Sequence, residues 1–368
     1  MTAGPDDLAH MRAALALARR GLGNAWPNPS VGCVVVREAR VVGRAVTAPG
    51  GRPHAEALAL AMAGAAARGA TAYVTLEPCC HHGQTGPCTD ALIEAGIGRV
   101  VVAARDPDAR VNGAGLARLR EAGVAVEDGV LRAEGETVAE GFFSRVRRGR
   151  PLVTLKLAST LDGRIATHGG ESKWITGEAA RRAAHALRGR SDAVLVGVGT
   201  LLADDPKLTC RIPGFKKVPD VRVVADSHLR TRLTSSIVAT ARETPAWFLV
   251  REGTDPERVR AMTGLGAQVI EVAGSPAGID LGEALAALAR AGITRLLVEG
   301  GAQIAAALVR ADLVDRIAWF HAPTVMGGDG WPGVQAFGIE RLEAVPRFRR
   351  ERVVPLGEDV LTELRRAA

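Results

Sequence analysis

Aromatic side chains, evenly paired cysteines and long apolar runs are what this chain lacks. Only 4% of its residues are Phe, Trp or Tyr, which weighs against a nucleic-acid protein that stacks bases on exposed rings. Its five cysteines are odd in number; Cys79, Cys80 and Cys88 fall close together while Cys33 and Cys210 stand alone. That is not a disulfide framework. With acidic Asp6 and Asp7 and no apolar leader near Met1, the expected compartment is the reducing cytoplasm. No stretch of about 18 uninterrupted apolar residues occurs, so no membrane span is expected. Basic residues outnumber acidic ones, 47 to 40, for a net charge of +7. No run of consecutive basic residues marks a nucleic-acid-binding tail. The densest stretches, Arg145 to Arg150 and Arg347 to Arg352, read as solvated surface, with a few arginines elsewhere available for a substrate phosphate.

What is present is a 368-residue chain, 47% apolar and 24% charged, long enough for two globular domains. Apolar positions Leu8, Met11, Leu15 and Ala18 form a helical stripe, and 54–68 reads as one Ala- and Leu-rich helix stopping at Gly69. Strands are expected over 31–36, 41–46, 72–76, 99–103 and 124–127, with helices after Cys88 and over 114–121. Strand and helix then alternate again from Leu152. Strands are expected over 193–196, 221–225, 247–250, 268–272 and 295–298, and helices over 178–188, 281–291 and 303–310. Segments 314–321, 349–354 and 360–364 read as late antiparallel strands. This alternation predicts α/β sheets covered on both faces. The Gly149-Arg150-Pro151 break divides the chain into expected domains 1–149 and 150–368.

The most informative motif is His54-Ala55-Glu56, followed by Pro78-Cys79 and Cys88. One imidazole and two thiolates make three protein ligands for tetrahedral Zn²⁺ and leave the fourth position open, the pattern of a catalytic site. Zinc lowers the pKa of bound water to roughly 7, and Glu56 stands ready as proton shuttle. The set matches the zinc nucleobase-deaminase signature. That signature continues P-C-x-x-C, whereas here His82 falls three residues after Cys79. Cys80, His81, His82 and Cys88 therefore compete as third ligand. Cys88 is favoured, because adjacent Cys79 and Cys80 side chains diverge while a loop carries Cys88 back. Asn28, before Pro29, is either a ring- or ribose-binding amide or a turn residue.

The second half carries weaker signals. Leu296 to Gly301 followed by a helix is strand, glycine pair, helix, a place where phosphate can approach free N–H groups. It is not the G-x-G-x-x-G of a dinucleotide fold. Lys156 to Gly163 puts a lysine and an aspartate around a strand end, Gly170 to Thr176 is a polar loop with one tryptophan, and Gly197 to Thr200 leads to Asp204-Asp205-Pro206, where the paired carboxylates suggest a turn rather than a metal site.

Taken in order, Asn28-Pro29-Ser30-Val31-Gly32, His54-Ala55-Glu56, Thr75-Leu76-Glu77-Pro78-Cys79, His81-His82-Gly83, Pro87-Cys88 and the second-half segments resemble the bifunctional riboflavin-biosynthesis deaminase–reductase family. The resemblance runs from about Asp7 to Leu364. It implies an N-terminal three-layer α/β/α cytidine-deaminase-like domain and a C-terminal dihydrofolate-reductase-like α/β domain. It implies zinc on His54, Cys79 and Cys88, Glu56 as catalytic acid–base, and Cys80, a serine in many members, as a non-ligand. Where the family loop often has Arg, this chain has Gln84. The resemblance further implies NADPH lined by Ala158, Trp174, Thr200, Asp204, Ser227 and Gly301. Substrate would meet Asn28, Lys156, Ser172, Arg188, Leu208, Arg211 and Glu299. The implied chemistry is deamination of a phosphoribosylated pyrimidine, then reduction of its ribosyl group to ribityl. A small-molecule substrate, a homo-oligomer, and neither nucleic acid nor membrane as partner are expected. The rival expectations are a deaminase with an impaired reductase and a nucleic-acid-editing zinc deaminase.

Overall fold

A computed structural model describes residues 4–276 and 278–367; Met1 and Ala368, the outer ends of the expected domain spans, lie outside the described residues. The chain forms two compact units, Met1–Gly149 and Arg150–Ala368.

In the first unit, five strands among the described residues form a sheet in the order β2 (Arg40–Val46), β1 (Gly32–Arg37), β3 (Thr71–Leu76), β4 (Arg99–Ala104), β5 (Ala125–Asp128). β1 is antiparallel to both neighbours, and β3, β4 and β5 run parallel. Helix α1 (Pro5–Gly21) begins on Pro5 with Asp6 and Asp7 in its first turn and ends on Arg19 and Arg20, charges that complement the helix dipole. It buries Met11, Ala14, Leu15 and Ala18 on one sheet face with Val34, Tyr73 and Val101. Helices α2 (Ala55–Ala63), α3 (Cys88–Glu94) and α4 (Ala114–Glu121) cover the other face, against Cys33, Val35, Val74 and Val102. Two glycines permit this closeness. A Cβ on Gly32 would come within 2.0 Å of the Ala14 carbonyl, and one on Gly43 within 2.1 Å of the Ala59 carbonyl.

The α-helix expected over 54–68 ends at Ala63, because Gly64 turns to φ +52° and 64–67 tightens into a 3₁₀ turn. Helices α5 (Arg132–Val138) and α6 (Glu140–Arg148) were not expected. The basic patch from Arg145 is largely the end of α6, where cations suit the carbonyl terminus.

In the second unit, nine strands among the described residues form one sheet. Its order is Gln268–Val272, Ala246–Arg251, Val221–Ala225, Ala193–Gly197, Arg295–Val298, Leu152–Ser159, Arg316–His321, Asp359–Arg366 and Phe348–Leu356. The first seven are parallel and the last two join antiparallel. Arg316–His321, expected as an antiparallel strand, is antiparallel to Asp359–Arg366 but parallel to Leu152–Ser159. The polar stretch after Gly197 is helical over Val198–Asp204, and Asp205 ends it at φ +41°.

Candidate active sites

Three segment ends meet at the first site. His54 is the N-cap of α2, Cys79 lies just past β3, and Cys88 is the first residue of α3. The His54 Nδ1 lies 3.2 Å from Cys88 Sγ and 3.7 Å from Cys79 Sγ, and the three ligand atoms fall within 4.8 Å of one another. A tetrahedral zinc with bonds of about 2.0 Å to nitrogen and 2.3 Å to sulfur spaces its ligand atoms about 3.5 Å apart, so the donor set fits that ion. The Cys88 N–H donates to Cys79 Sγ at 3.3 Å. Cys80 Sγ instead faces the Arg110 carbonyl at 3.6 Å.

Hydrogen bonding and burial shift the titration of these groups. The Cys88 thiol hydrogen bond and His54 pull Cys79 down to about 4, while the same bond, burial and Glu56 push Cys88 up. A dication between the two sulfurs would favour the thiolate form of both. The bond to Cys79 also raises His54. Glu56 is 3% exposed, and burial pushes its carboxyl up. Asn28 Nδ2 donates to the Gly51 carbonyl at 2.8 Å and lies 3.4 Å from His54 Nε2.

Asn28, His54, Glu56 and Cys79 line a cleft of about 440 Å³ together with Arg52, Asp106, Asp108 and Arg110. Sequence reasoning assigned none of those four a role. It also passed over Glu77, which organises the cleft wall. Its buried carboxylate accepts backbone N–H groups of Asp106, Gly113, Gly115 and Leu116 at 2.9–3.3 Å. An acidic residue closing an apolar strand was the signal available. Burial raises Asp106 to about 7.

In the second unit Thr200, Ser227, Glu299 and Gly301 follow the carboxyl ends of parallel strands, the usual crevice side of open α/β sheets, while Lys156 and Arg188 lie within a strand and a helix. Arg188, near the end of helix Glu178–Gly189, places Nε and Nη2 on the two Glu299 oxygens at 2.6 and 2.7 Å and Nη1 on the Thr209 carbonyl at 3.0 Å. Burial lowers Lys156, which Glu299 opposes and Arg188 reinforces. Arg211 Nε lies 3.1 Å from His185 Nε2, a contact sequence reasoning missed. The Gly301 N–H donates to Thr200 Oγ1 at 3.2 Å, tying the glycine pair to helix Val198–Asp204. Gly300 and Gly301 have φ of +84° and +25°, which favours glycine. Asp204 lies 3.8 Å from Lys173, and the Trp174 ring, largely exposed, sits under Arg181. Ala158 lies at the end of its strand, half-buried, and Ser172 in the following loop. Leu208 is 2% exposed with φ +53°, so its side chain belongs to the core. Ser227 is set apart from these contacts against Gly278, where a Cβ would meet its hydroxyl at 2.5 Å.

A zinc-deaminase unit followed by a parallel-sheet reductase unit defines the class. Residues 5–104 match the family model described as cytidine and deoxycytidylate deaminase zinc-binding region, and residues 151–362 match the RibD C-terminal domain. The chain is 41% identical to the riboflavin biosynthesis protein RibD of Aquifex aeolicus, over 98% of both chains. It resembles the solved RibD of Acinetobacter baumannii with TM-score 0.87 and 36% identity, covering 99% of each chain. A Thermotoga maritima structure at TM-score 0.84 and 34% identity, covering 98% of this chain and 99% of that one, is described as a diaminohydroxyphosphoribosylaminopyrimidine deaminase/5-amino-6-(5-phosphoribosylamino)uracil reductase. The chain belongs to the RibD family of riboflavin-biosynthesis enzymes, with a zinc-dependent deaminase domain and an NADPH-dependent reductase domain. No helix among the described residues is long and apolar enough to cross a membrane.

Proposed function

We propose that the enzyme deaminates 2,5-diamino-6-(5-phosphoribosylamino)pyrimidin-4-one and then reduces the ribosyl side chain of the product to ribityl. The observation that carries this is the convergence of His54, Cys79 and Cys88 within 4.8 Å beside buried Glu56. Bound zinc supplies Lewis acidity and lowers the pKa of its water. Glu56, buried beside that site, would carry protons from the attacking water to the ring nitrogen and the departing amine, so that water enters and ammonia leaves. Burial beside the three donors holds the Glu56 carboxyl in place for that transfer. Asn28, held by the Gly51 carbonyl, orients the ring or ribose from the cleft wall.

In the second domain NADPH supplies the hydride. Ala158, Trp174, Thr200, Asp204, Ser227 and Gly301 line the cofactor. Ser172, Arg188, Arg211, Glu299 and the main chain of Leu208 hold the substrate, with the arginines suited to its phosphate. Lys156, lowered by burial, orients the opened sugar or answers charge developing on it. The first domain ends with Gly149 and the second begins at Arg150, which agrees with the division into compact units. We further propose a cytoplasmic homo-oligomer that acts on this small molecule and not on nucleic acid, in keeping with its free cysteines and few aromatic residues.

Zinc content with a two-step assay tests the reading: ammonia release from the diamino substrate, then NADPH oxidation on the deaminated product. A folded, zinc-loaded protein with no turnover in the first step would overturn the deaminase assignment. Intact deamination without NADPH oxidation would leave a deaminase with an impaired reductase.

A further inference from the structure

Residues 81–87 join Cys79-Cys80 to Cys88, beginning with His81 on the cleft wall, and contain no lysine or arginine; the central side chain is neutral Gln84. A cation is brought to this loop from another segment. Arg52 Nη1 donates to Thr85 Oγ1 at 2.8 Å. Its Nη2 would lie 3.5 Å from a Cβ added to Gly83. The guanidinium therefore reaches both neighbours of Gln84, while Arg52 lines the same cleft as His54, Glu56 and Cys79.

Two other arginines line the cleft, Arg110 with an anionic partner and Arg145 with a neutral one, and Arg52 is set against the Gln84 loop. Arg110 is held by both carboxylate oxygens of Asp108, at 2.5–3.2 Å, so its charge is answered within the protein. Arg145 is directed at the Pro27 carbonyl at 3.0 Å. Arg52 bonds a neutral hydroxyl, which keeps its positive charge for an anion at the cleft mouth. A guanidinium presents a fork that matches phosphate oxygens. We propose that Arg52 is the residue that recognises the substrate phosphate in the deaminase site, supplying the cation that the Gln84 loop lacks. This rests on the deaminase reading above.

The test uses full-length, zinc-loaded enzyme with the phosphoribosyl diaminopyrimidine and with its dephosphorylated riboside. For Arg52→Gln, KM for the phosphorylated substrate is expected to rise about ten- to a hundredfold, the worth of a charge-assisted hydrogen bond. Its kcat should stay within about threefold and the riboside KM should not move. Arg52→Lys, which keeps charge and stem but not the fork, should fall between. Adding Gln84→Arg to Arg52→Gln should restore most of the preference for the phosphorylated substrate, a rescue that a purely structural Arg52 would not allow. Equal losses on both substrates, or an undiminished preference in Arg52→Gln, would overturn the proposal. If the wild-type enzyme deaminates neither compound, the deaminase reading itself fails before Arg52 is tested.

Discussion

Arg188 and Glu299 form a two-pronged ion pair, Nε to Oε1 at 2.6 Å and Nη2 to Oε2 at 2.7 Å, with side chains only 16% and 8% exposed. Burial alone would raise Glu299, but the Arg188 hydrogen bonds and charge, with Lys156 and His185, bring it below the usual carboxylate range. Glu299→Gln leaves a buried guanidinium without its anion. It should cost about 3 kcal/mol of stability in the second domain and at least about tenfold in reductase kcat/KM, with deamination unchanged. Urea unfolding and NADPH oxidation check it. Wild-type reductase activity would remove Glu299 from the substrate site.

Glu56→Gln should retain zinc and lose about 10²- to 10⁴-fold in deamination, the usual worth of a positioned acid–base group. Metal analysis and ammonia release measure the two halves separately. Zinc loss with the substitution would make Glu56 a ligand support instead of a proton carrier.

The three neighbouring cysteines should behave differently. Cys79→Ala and Cys88→Ala are each expected to abolish tight zinc binding, since two donors remain where three are needed. Cys80→Ser should keep zinc and deaminase activity, because its sulfur faces the Arg110 carbonyl. Loss of metal from Cys80→Ser would reopen the ligand assignment.

Asp7 offers a pH test away from both sites. Two hydrogen bonds from Arg99 and one from Tyr73 hold its carboxyl at about 2 against an ordinary 3.8. A depressed folded-state pKa stabilises above the unfolded value and is lost as pH falls through the folded one. The contribution, about 2 kcal/mol at neutral pH, should fade between about pH 4 and 2. Asp7→Asn should accordingly be destabilised at pH 7 and close to wild type near pH 2. A constant difference across that range would assign the effect to packing.

Much of this was readable in the chain because the signals were local. The spacing of Met11, Leu15 and Ala18 specified the buried face of α1, and the apolar run at 72–76 specified β3. Local signals also misled. The Ala-rich 54–68 segment looked like one helix because helix propensity does not register the left-handed turn at Gly64. From sequence, Val198–Asp204 reads as no element because glycine and aspartate mask a single short helix. The cleft wall was unreadable for a different reason: Glu77 is joined to Gly113 and Leu116 across more than 30 positions by backbone N–H groups, which carry no residue identity.

The sequence alone determined the chemistry. A histidine, two thiols and a glutamate at that spacing define a zinc deaminase wherever the fold brings them together, because ligand type and count are properties of side chains. The tertiary structure decided which groups act on one another. It directed Cys88 to His54 and Cys80 away, paired Arg188 with Glu299 across 111 positions, and set Arg52 against both neighbours of Gln84. Those outcomes depend on distances of a few ångströms between segments far apart in the chain, and packing of the sheets and helices fixes them.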